Sequence, residues 1–111
     1  MQIRVRPVQH ISVVEIIGEL DGKTAPEAAE QILGLLDPGC RVALDVTQVT
    51  YVSSAGLRMF LLVNRKAASN NGQVALLGLS EELRDTMDMT GFLNHFATYE
   101  TLEAVLESLA R

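Results

Sequence analysis

The segment that decides the fold of this chain is VALDVTQVTYVSSAGLRMFLLV, which spans residues 42–63. It begins with a short apolar run that contains a single charge, Asp45, as is typical of a strand buried on both faces of a sheet. Residues 47–50 break this run. Beyond the break, one face of a helix is marked by the spacing of Leu57, Phe60, Leu61, Asn64, Ala67 and Ala68. The segment therefore predicts a buried strand, a turn and a helix.

Two hydroxyl side chains, Ser53 and Ser54, fall where the predicted strand gives way to the helix. The first turn of a helix has unpaired N–H groups and carries the positive end of the helix dipole. Such a position suits a serine that caps the helix, and it suits a phosphate group equally well. The residues by themselves leave both interpretations open.

Composition narrows the classes of protein to consider. The chain has 111 residues and a formal net charge of −5, so we expect one domain spanning residues 1–111 with one apolar core. Sequence-independent nucleic-acid binding needs an excess of lysine and arginine, so the negative net charge argues against it. A partner with a basic surface is the more natural counterpart of an acidic chain. The single cysteine, Cys40, excludes an internal disulfide, and we expect a bland buried or half-buried thiol. No secretory or membrane-spanning segment is visible, which predicts a cytoplasmic protein without membrane insertion.

The rest of the chain alternates predicted strands with predicted helices. Residues 18–22 form an acidic, glycine-bounded loop or bulge, and Thr24 begins a capping box with Glu27. We predict strands at residues 2–8, 11–17, 42–46, 73–79 and 95–99, and helices at 24–36, 57–69, 80–90 and 101–110. This order indicates an α/β fold with a mixed, mostly parallel sheet, about four helices and an opening hairpin.

Three pieces of the sequence resemble the STAS domain, specifically the bacterial anti-sigma factor antagonists. They are GELD at residues 18–21 with the helix that follows, LD at 44–45 with YVSSAGL at 51–57, and FATYETLEA at 96–104. The resemblance covers nearly the full length and implies a single STAS domain without enzymatic activity. It implies a switch protein that binds a serine kinase/anti-sigma factor of the histidine-kinase-like ATPase type. Phosphorylation by that kinase releases the antagonist, and a serine phosphatase resets it.

The chain departs from the motif that is commonest in this family, Asp-Ser-Ser-Gly or Asp-Ser-Thr-Gly. Ser53 stands at the aspartate position and Ala55 at the second hydroxyl position. Because alanine cannot accept a phosphate, the resemblance implies Ser54 as the phosphate acceptor, with Ser53 as the fallback. In a third interpretation neither serine is modified and both only cap the helix.

The resemblance also implies a set of partner-binding residues around these serines. Asp21 is interpreted either as a like charge beside the phosphate or as a turn residue before Gly22. Arg58 either reaches Ser54 from the next helical turn or is an ordinary solvated side chain. The predicted set is Asp21, Ser53, Ser54, Ala55, Gly56, Leu57 and Arg58.

Other functional classes fit the sequence less well. Ser54-Ala55-Gly56 is half of a nucleophile elbow, but Val52 stands where that motif needs glycine. A glycine-rich nucleotide loop is absent, and the histidines lack metal-ligand spacing. We therefore predict no catalytic residue, no metal site and no cofactor, and a monomer when the protein is free. The alternative function is a STAS-like subunit that docks on a transporter or another complex and is never phosphorylated.

Overall fold

The computed structural model describes residues 1–109, which form a five-stranded sheet and four α-helices. The strands are β1 (Gln2–Val8), β2 (Ile11–Leu20), β3 (Arg41–Val52), β4 (Gln73–Leu77) and β5 (Ala97–Tyr99). The helices are α1 (Thr24–Leu33), α2 (Ser54–Ser69), α3 (Glu81–Met89) and α4 (Leu102–Leu109). The strand order is β1-β2-β3-β4-β5, with β1 antiparallel to β2 and the remaining pairs parallel. The predicted α/β fold with an opening hairpin is confirmed.

Alternating strand residues build an apolar layer on each face of the sheet. The larger layer packs against α1, α2 and α3 and centres on Phe60, which is fully buried. Its strand members are Val14, Ile16, Leu20, Val42, Leu44, Val46, Val74 and Leu76. The smaller layer brings Ile11, Val13, Ala43, Ala75 and Leu77 against Val105 and Leu109 of α4. Because α2 belongs to the larger layer, its first turn is held at one end of a packed sheet.

The central strand β3 is longer than predicted, and the expected break at residues 47–50 is wrong. The preceding strand β2 also continues past residue 17, to Leu20, and the two strands stay paired through Leu20 and Val52. Gly18, with φ of 113°, and a register shift next to it allow the pairing to continue past an irregularity. The extra length of β3 brings the sheet directly to the start of α2.

Helix α1 begins differently from the predicted capping box. Its N-cap is Lys23, and Thr24 is already the first helical residue. The Thr24 hydroxyl donates to the carbonyl oxygen of Glu19 at 2.6 Å, so it ties the helix to the end of β2. The helix also ends earlier than predicted, at Leu33 with Gly34 as C-cap, because the chain turns before Asp37.

Several element ends and one helix face also differ from the prediction. Met59 and Val63 of α2 are buried, whereas Ala68 is exposed, because the flank of α2 packs beside α1. Strand β4 ends at Leu77 rather than at residue 79, and β5 begins at Ala97 because Leu93–His95 form a 3-10 helix.

Other predictions hold to within one residue. Helix α3 is one residue shorter at each end than predicted, because Ser80 and Thr90 are its N-cap and C-cap, and Cys40 is half-buried as predicted. Helix α4 begins at Leu102, one residue later than predicted, and its predicted last residue, Ala110, lies outside the described residues.

Candidate functional site

The candidate site is the junction at which β3 ends and α2 begins. The backbone N–H of Ser53 donates a hydrogen bond to the carbonyl oxygen of Leu20, with 2.8 Å between the two atoms. This bond ties the start of α2 to the end of the neighbouring strand β2. Residue 21 follows Leu20 directly, so the loop that contains Asp21 lies beside the start of α2.

Ser53 is the N-cap of α2. Its backbone is extended, with φ of −83° and ψ of 176°, and its Oγ accepts the N–H of Gly56 at 3.4 Å. That distance is long for such a bond, so the cap is a weak one. The side chain is half-buried. The capping interpretation of Ser53 is therefore what the geometry shows.

Ser54 is the first residue of α2, and its side chain is exposed. Unlike Ser53, its hydroxyl has no hydrogen-bond partner within residues 1–109. The open N–H groups of the first helical turn and the positive end of the helix dipole lie next to it. A phosphate on this oxygen would project into solvent and still be stabilised by the helix end.

Gly56 and Leu57 lie beneath these serines and are both buried. A Cβ atom at Gly56 would lie 2.8 Å from Cγ1 of Val52 and 3.0 Å from Cβ of Leu20. Only glycine therefore allows α2 to begin so close to the two strands. Leu57 is 4% exposed and belongs to the larger apolar layer. These two members of the predicted set hold the site in place from below, whereas the serines, Ala55 and Arg58 border the surface.

Asp21 has a clear structural role in the adjacent loop. Its Oδ1 accepts the backbone N–H groups of Lys23 at 2.9 Å and of Thr24 at 3.0 Å. These bonds, above all the one from Thr24, hold the pKa of the Asp21 carboxyl below its usual range. The turn interpretation thus describes what the side chain does in the fold, and a contact with a partner stays a prediction.

Ala55 and Arg58 border a shallow groove between α1 and α2, with a volume of about 210 Å3. Its other lining residues are Ala25, Pro26, Ala29, Met59 and Leu62. Leu62 is 50% exposed at the groove although it is a large apolar residue. The sequence analysis did not single out Leu62. The signal available was its spacing of four residues from Arg58 and eight from Ser54.

A second cleft, of about 180 Å3, lies at the carboxyl end of β3, next to Ser53 in the chain. Its lining residues are Val49, Thr50, Tyr51, Val52, Ser80, Glu82, Leu83 and Thr86. Tyr51 is 55% exposed. Among residues 1–109, no group of three histidine, cysteine or acidic side chains is arranged to hold a metal ion.

A family model described as the STAS domain matches residues 2–105. The chain belongs to the STAS domain family. Its relatives include BtrV of Bordetella bronchiseptica, provisionally named an anti-sigma factor antagonist, which is 28% identical over 94% of this chain and 90% of that protein. The anti-sigma-B factor antagonist of Bacillus subtilis is 32% identical over 70% of this chain and 72% of that protein.

Solved structures agree with the STAS fold. A Thermotoga maritima protein, provisionally described as an anti-sigma factor antagonist, has a TM-score of 0.90 at 18% identity, covering 98% of this chain and 95% of its own. The phosphorylated form of Bacillus SpoIIAA has a TM-score of 0.71 at 17% identity, covering 96% and 99%. The murine anion transporter Slc26a9 has a TM-score of 0.82 at 10% identity, covering 95% of this chain and 18% of its own. At these identities the likeness establishes the fold.

In this STAS domain, no helix within residues 1–109 combines the length and the apolar character needed to cross a lipid bilayer.

Proposed function

We propose that this STAS domain is an anti-sigma factor antagonist whose binding to its partner is controlled by phosphorylation of Ser54. The observation that carries the proposal is the exposed Ser54 hydroxyl, which lies on the first turn of α2 without a hydrogen-bond partner among the described residues. Relatives named anti-sigma-B factor antagonists support the class of function. The partner in this proposal is a serine kinase/anti-sigma factor of the histidine-kinase-like ATPase type, and a serine phosphatase reverses the modification.

The local geometry favours Ser54 over its neighbours as the phosphate acceptor. Ser53 is half-buried, and its Oγ already accepts the N–H of Gly56. A phosphate on Ser53 would have to displace that cap from a packed junction. Ala55 has no hydroxyl group. Ser54 alone among these three residues presents a free oxygen to an enzyme.

The switch acts through the surface rather than through unfolding. A phosphoserine adds about −1.5 to −2 charges and three strong acceptor oxygens. At the start of α2 these oxygens meet helix N–H groups, so we expect the fold to tolerate the phosphate. A partner surface fitted to a small neutral hydroxyl would instead have to bury a hydrated dianion without compensation. The complex is therefore expected to weaken when Ser54 is phosphorylated.

Site-resolved mass spectrometry tests the assignment of the acceptor. The protein is incubated with magnesium, ATP and an extract of its own host, beside the Ser54→Ala and Ser53→Ala variants. We expect one added phosphate in the wild type and in Ser53→Ala, and none in Ser54→Ala. A phosphate that persists in Ser54→Ala would contradict the assignment.

The alternative function is a STAS subunit that docks constitutively on a transporter or another complex. The likeness of the fold to part of an anion transporter structure favours it as the second candidate, and Ala55 in place of a hydroxyl residue agrees with it. Absence of phosphate on any serine, in an extract whose kinase modifies another host antagonist, would overturn the proposed switch. The alternative would then take its place.

A further inference from the structure

One stripe of side chains along α2 extends the candidate site away from Ser54. Ser54, Arg58, Leu62 and Lys66 follow one another at intervals of four residues, and all four are exposed. Residues four apart lie above one another on a helix surface. Along the surface of α2, the hydroxyl group of Ser54 is thus followed by the cation of Arg58, the exposed side chain of Leu62 and the cation of Lys66.

Two members of the stripe, Arg58 and Leu62, line the groove between α1 and α2. The groove walls are small or apolar, with Ala25, Pro26 and Ala29 on α1 facing Ala55 and Met59 on α2. Its volume of about 210 Å3 is smaller than the roughly 300–1,000 Å3 of sites that enclose a drug-sized ligand. A shallow groove of this size takes one or two side chains of another protein. Leu62, half exposed beside it, supplies the apolar surface that such a contact would cover.

The charge of α2 is opposite to the charge of the whole chain. The helix carries Arg58, Arg65 and Lys66 and no aspartate or glutamate, although the chain has a formal net charge of −5. Arg58 lines the groove, and its guanidinium forms no ion pair within residues 1–109. The α2 side of the groove, where Arg58 lies, therefore complements a carboxylate.

We propose that the groove between α1 and α2 receives an apolar segment of the anti-sigma factor that carries carboxylates beside its apolar side chains. In this arrangement Leu62 lies at the centre of the contact, and Arg58 pairs with one of the carboxylates. The inference rests on the proposed function, because the occupant is the partner that Ser54 controls.

The same arrangement gives Arg58 a part in the switch. Ser54 lies four residues before Arg58, a spacing at which an anion and a cation on a helix meet. A phosphate on Ser54 is a stronger partner for Arg58 than a carboxylate on another chain, because it is dianionic and covalently held nearby. When Arg58 turns to the phosphate, the carboxylate of the anti-sigma factor loses its cation and faces a dianion. Arg58 is thus a positioning residue: its guanidinium pairs with the carboxylate of the anti-sigma factor before phosphorylation and with the phosphate on Ser54 afterwards.

The groove is tested by the affinity of the kinase/anti-sigma factor for the unphosphorylated protein. We expect Leu62→Ala to weaken binding by about tenfold or more, because it removes the apolar side chain at the centre of the proposed contact. Met89→Ala is the matched control, because Met89 is an 87% exposed apolar residue on α3 that does not line the groove. We expect Arg58→Gln to weaken binding at low salt and to reduce its dependence on salt. Wild-type affinity of Leu62→Ala would overturn the proposed groove.

The pairing of Arg58 with the phosphate is tested without any partner protein. The sample is this chain with phosphoserine installed genetically at position 54. Phosphorus NMR follows the second ionisation of the phosphate as pH is raised. A nearby guanidinium favours the dianion, so we expect Arg58→Gln to raise the midpoint by a few tenths of a pH unit. Arg65→Gln is the control, since residue 65 is about 16 Å farther along the helix axis than residue 54. An unchanged midpoint in Arg58→Gln would overturn the proposal that Arg58 pairs with the phosphate.

Failure of this inference differs from failure of the proposed function. If phosphorylation of Ser54 releases the kinase while Leu62→Ala binds like the wild type, the groove is wrong and the switch stands. If phosphorylation leaves the affinity unchanged, the switch itself is wrong, and this inference is overturned together with it.

Discussion

At the junction of β3 and α2, two adjacent serines have different environments. Ser53 uses its side chain to cap the helix, whereas Ser54 presents an unpartnered hydroxyl to solvent. We expect Ser53→Ala to lower the free energy of unfolding by about 0.5–1 kcal/mol, because a weak N-cap is lost. Ser54→Ala should stay within about 0.5 kcal/mol of the wild type, as is usual for an exposed residue. Urea unfolding measures both, and the reverse order would contradict the assignment of roles.

Gly56 allows the start of α2 to pack closely against the ends of β2 and β3. A methyl group there would meet Val52 and Leu20 at 2.8–3.0 Å. We expect Gly56→Ala to lower the free energy of unfolding by about 1–3 kcal/mol, since α2 must move away from the strands. Gly22→Ala is the control, because a Cβ atom at Gly22 would meet nothing within 4 Å. Equal stability of the two variants in denaturant unfolding would show that α2 does not begin as closely packed as described.

Asp21 makes stability depend on pH. Its pKa is depressed in the folded chain by the N–H groups of Thr24 and Lys23. The stabilising contribution of its carboxylate is therefore present above about pH 4, the pKa of an unfolded aspartate, and is lost as pH falls through the folded pKa. We expect Asp21→Asn to be less stable than the wild type at pH 7, with a difference that shrinks toward pH 3. A difference independent of pH in urea unfolding would contradict this cause.

Residue-scale roles were only partly predictable from the sequence. Ser53 and Ser54 were expected at a helix start, and the structure places them there. The capping box at Thr24 was wrong because a local motif cannot show that Asp21 and Glu19 would bind Thr24 instead. Leu62 was missed because its significance depends on α1, a helix that lies about 30 residues earlier in the chain.

At the scale of elements, helix α3 offers a direct comparison of a buried and an exposed methionine. Met87 is fully buried in the larger apolar layer, whereas Met89 is 87% exposed. We expect Met87→Ala to lower the free energy of unfolding by about 2–5 kcal/mol through the cavity that it leaves. Met89→Ala should change it by less than about 0.5 kcal/mol. Thermal and urea unfolding measure both, and similar losses would show that α3 packs on a different face.

The order and type of the elements followed from the sequence because alternation, helical spacing and glycine-rich stops are local signals. The ends of β2 and β3 did not, since each strand continues only because the other continues beside it. Residues 47–50 look like a turn when considered alone, yet their backbone groups find partners near Gly18. Pairing between distant segments thus accounts for the largest difference between prediction and structure.

At the scale of the whole molecule, net charge and local charge point to different partners. The formal net charge of −5 favours a basic partner surface. Helix α2, where Ser54 lies, is basic and carries no acidic residue. The folded arrangement, rather than the composition, therefore decides what charge a partner meets at Ser54.

The measurement that tests the central claim most directly is the affinity of the host kinase/anti-sigma factor for the protein with serine or phosphoserine at position 54. We expect phosphoserine at this position to weaken the complex by at least about tenfold, which corresponds to roughly 1.4 kcal/mol. Phosphoserine installed at Ser108, an exposed residue of α4 on the other face of the sheet, is the charge-matched control and should bind like the unmodified protein. Equal affinity of the two forms at position 54 would contradict the claim that Ser54 is the switch.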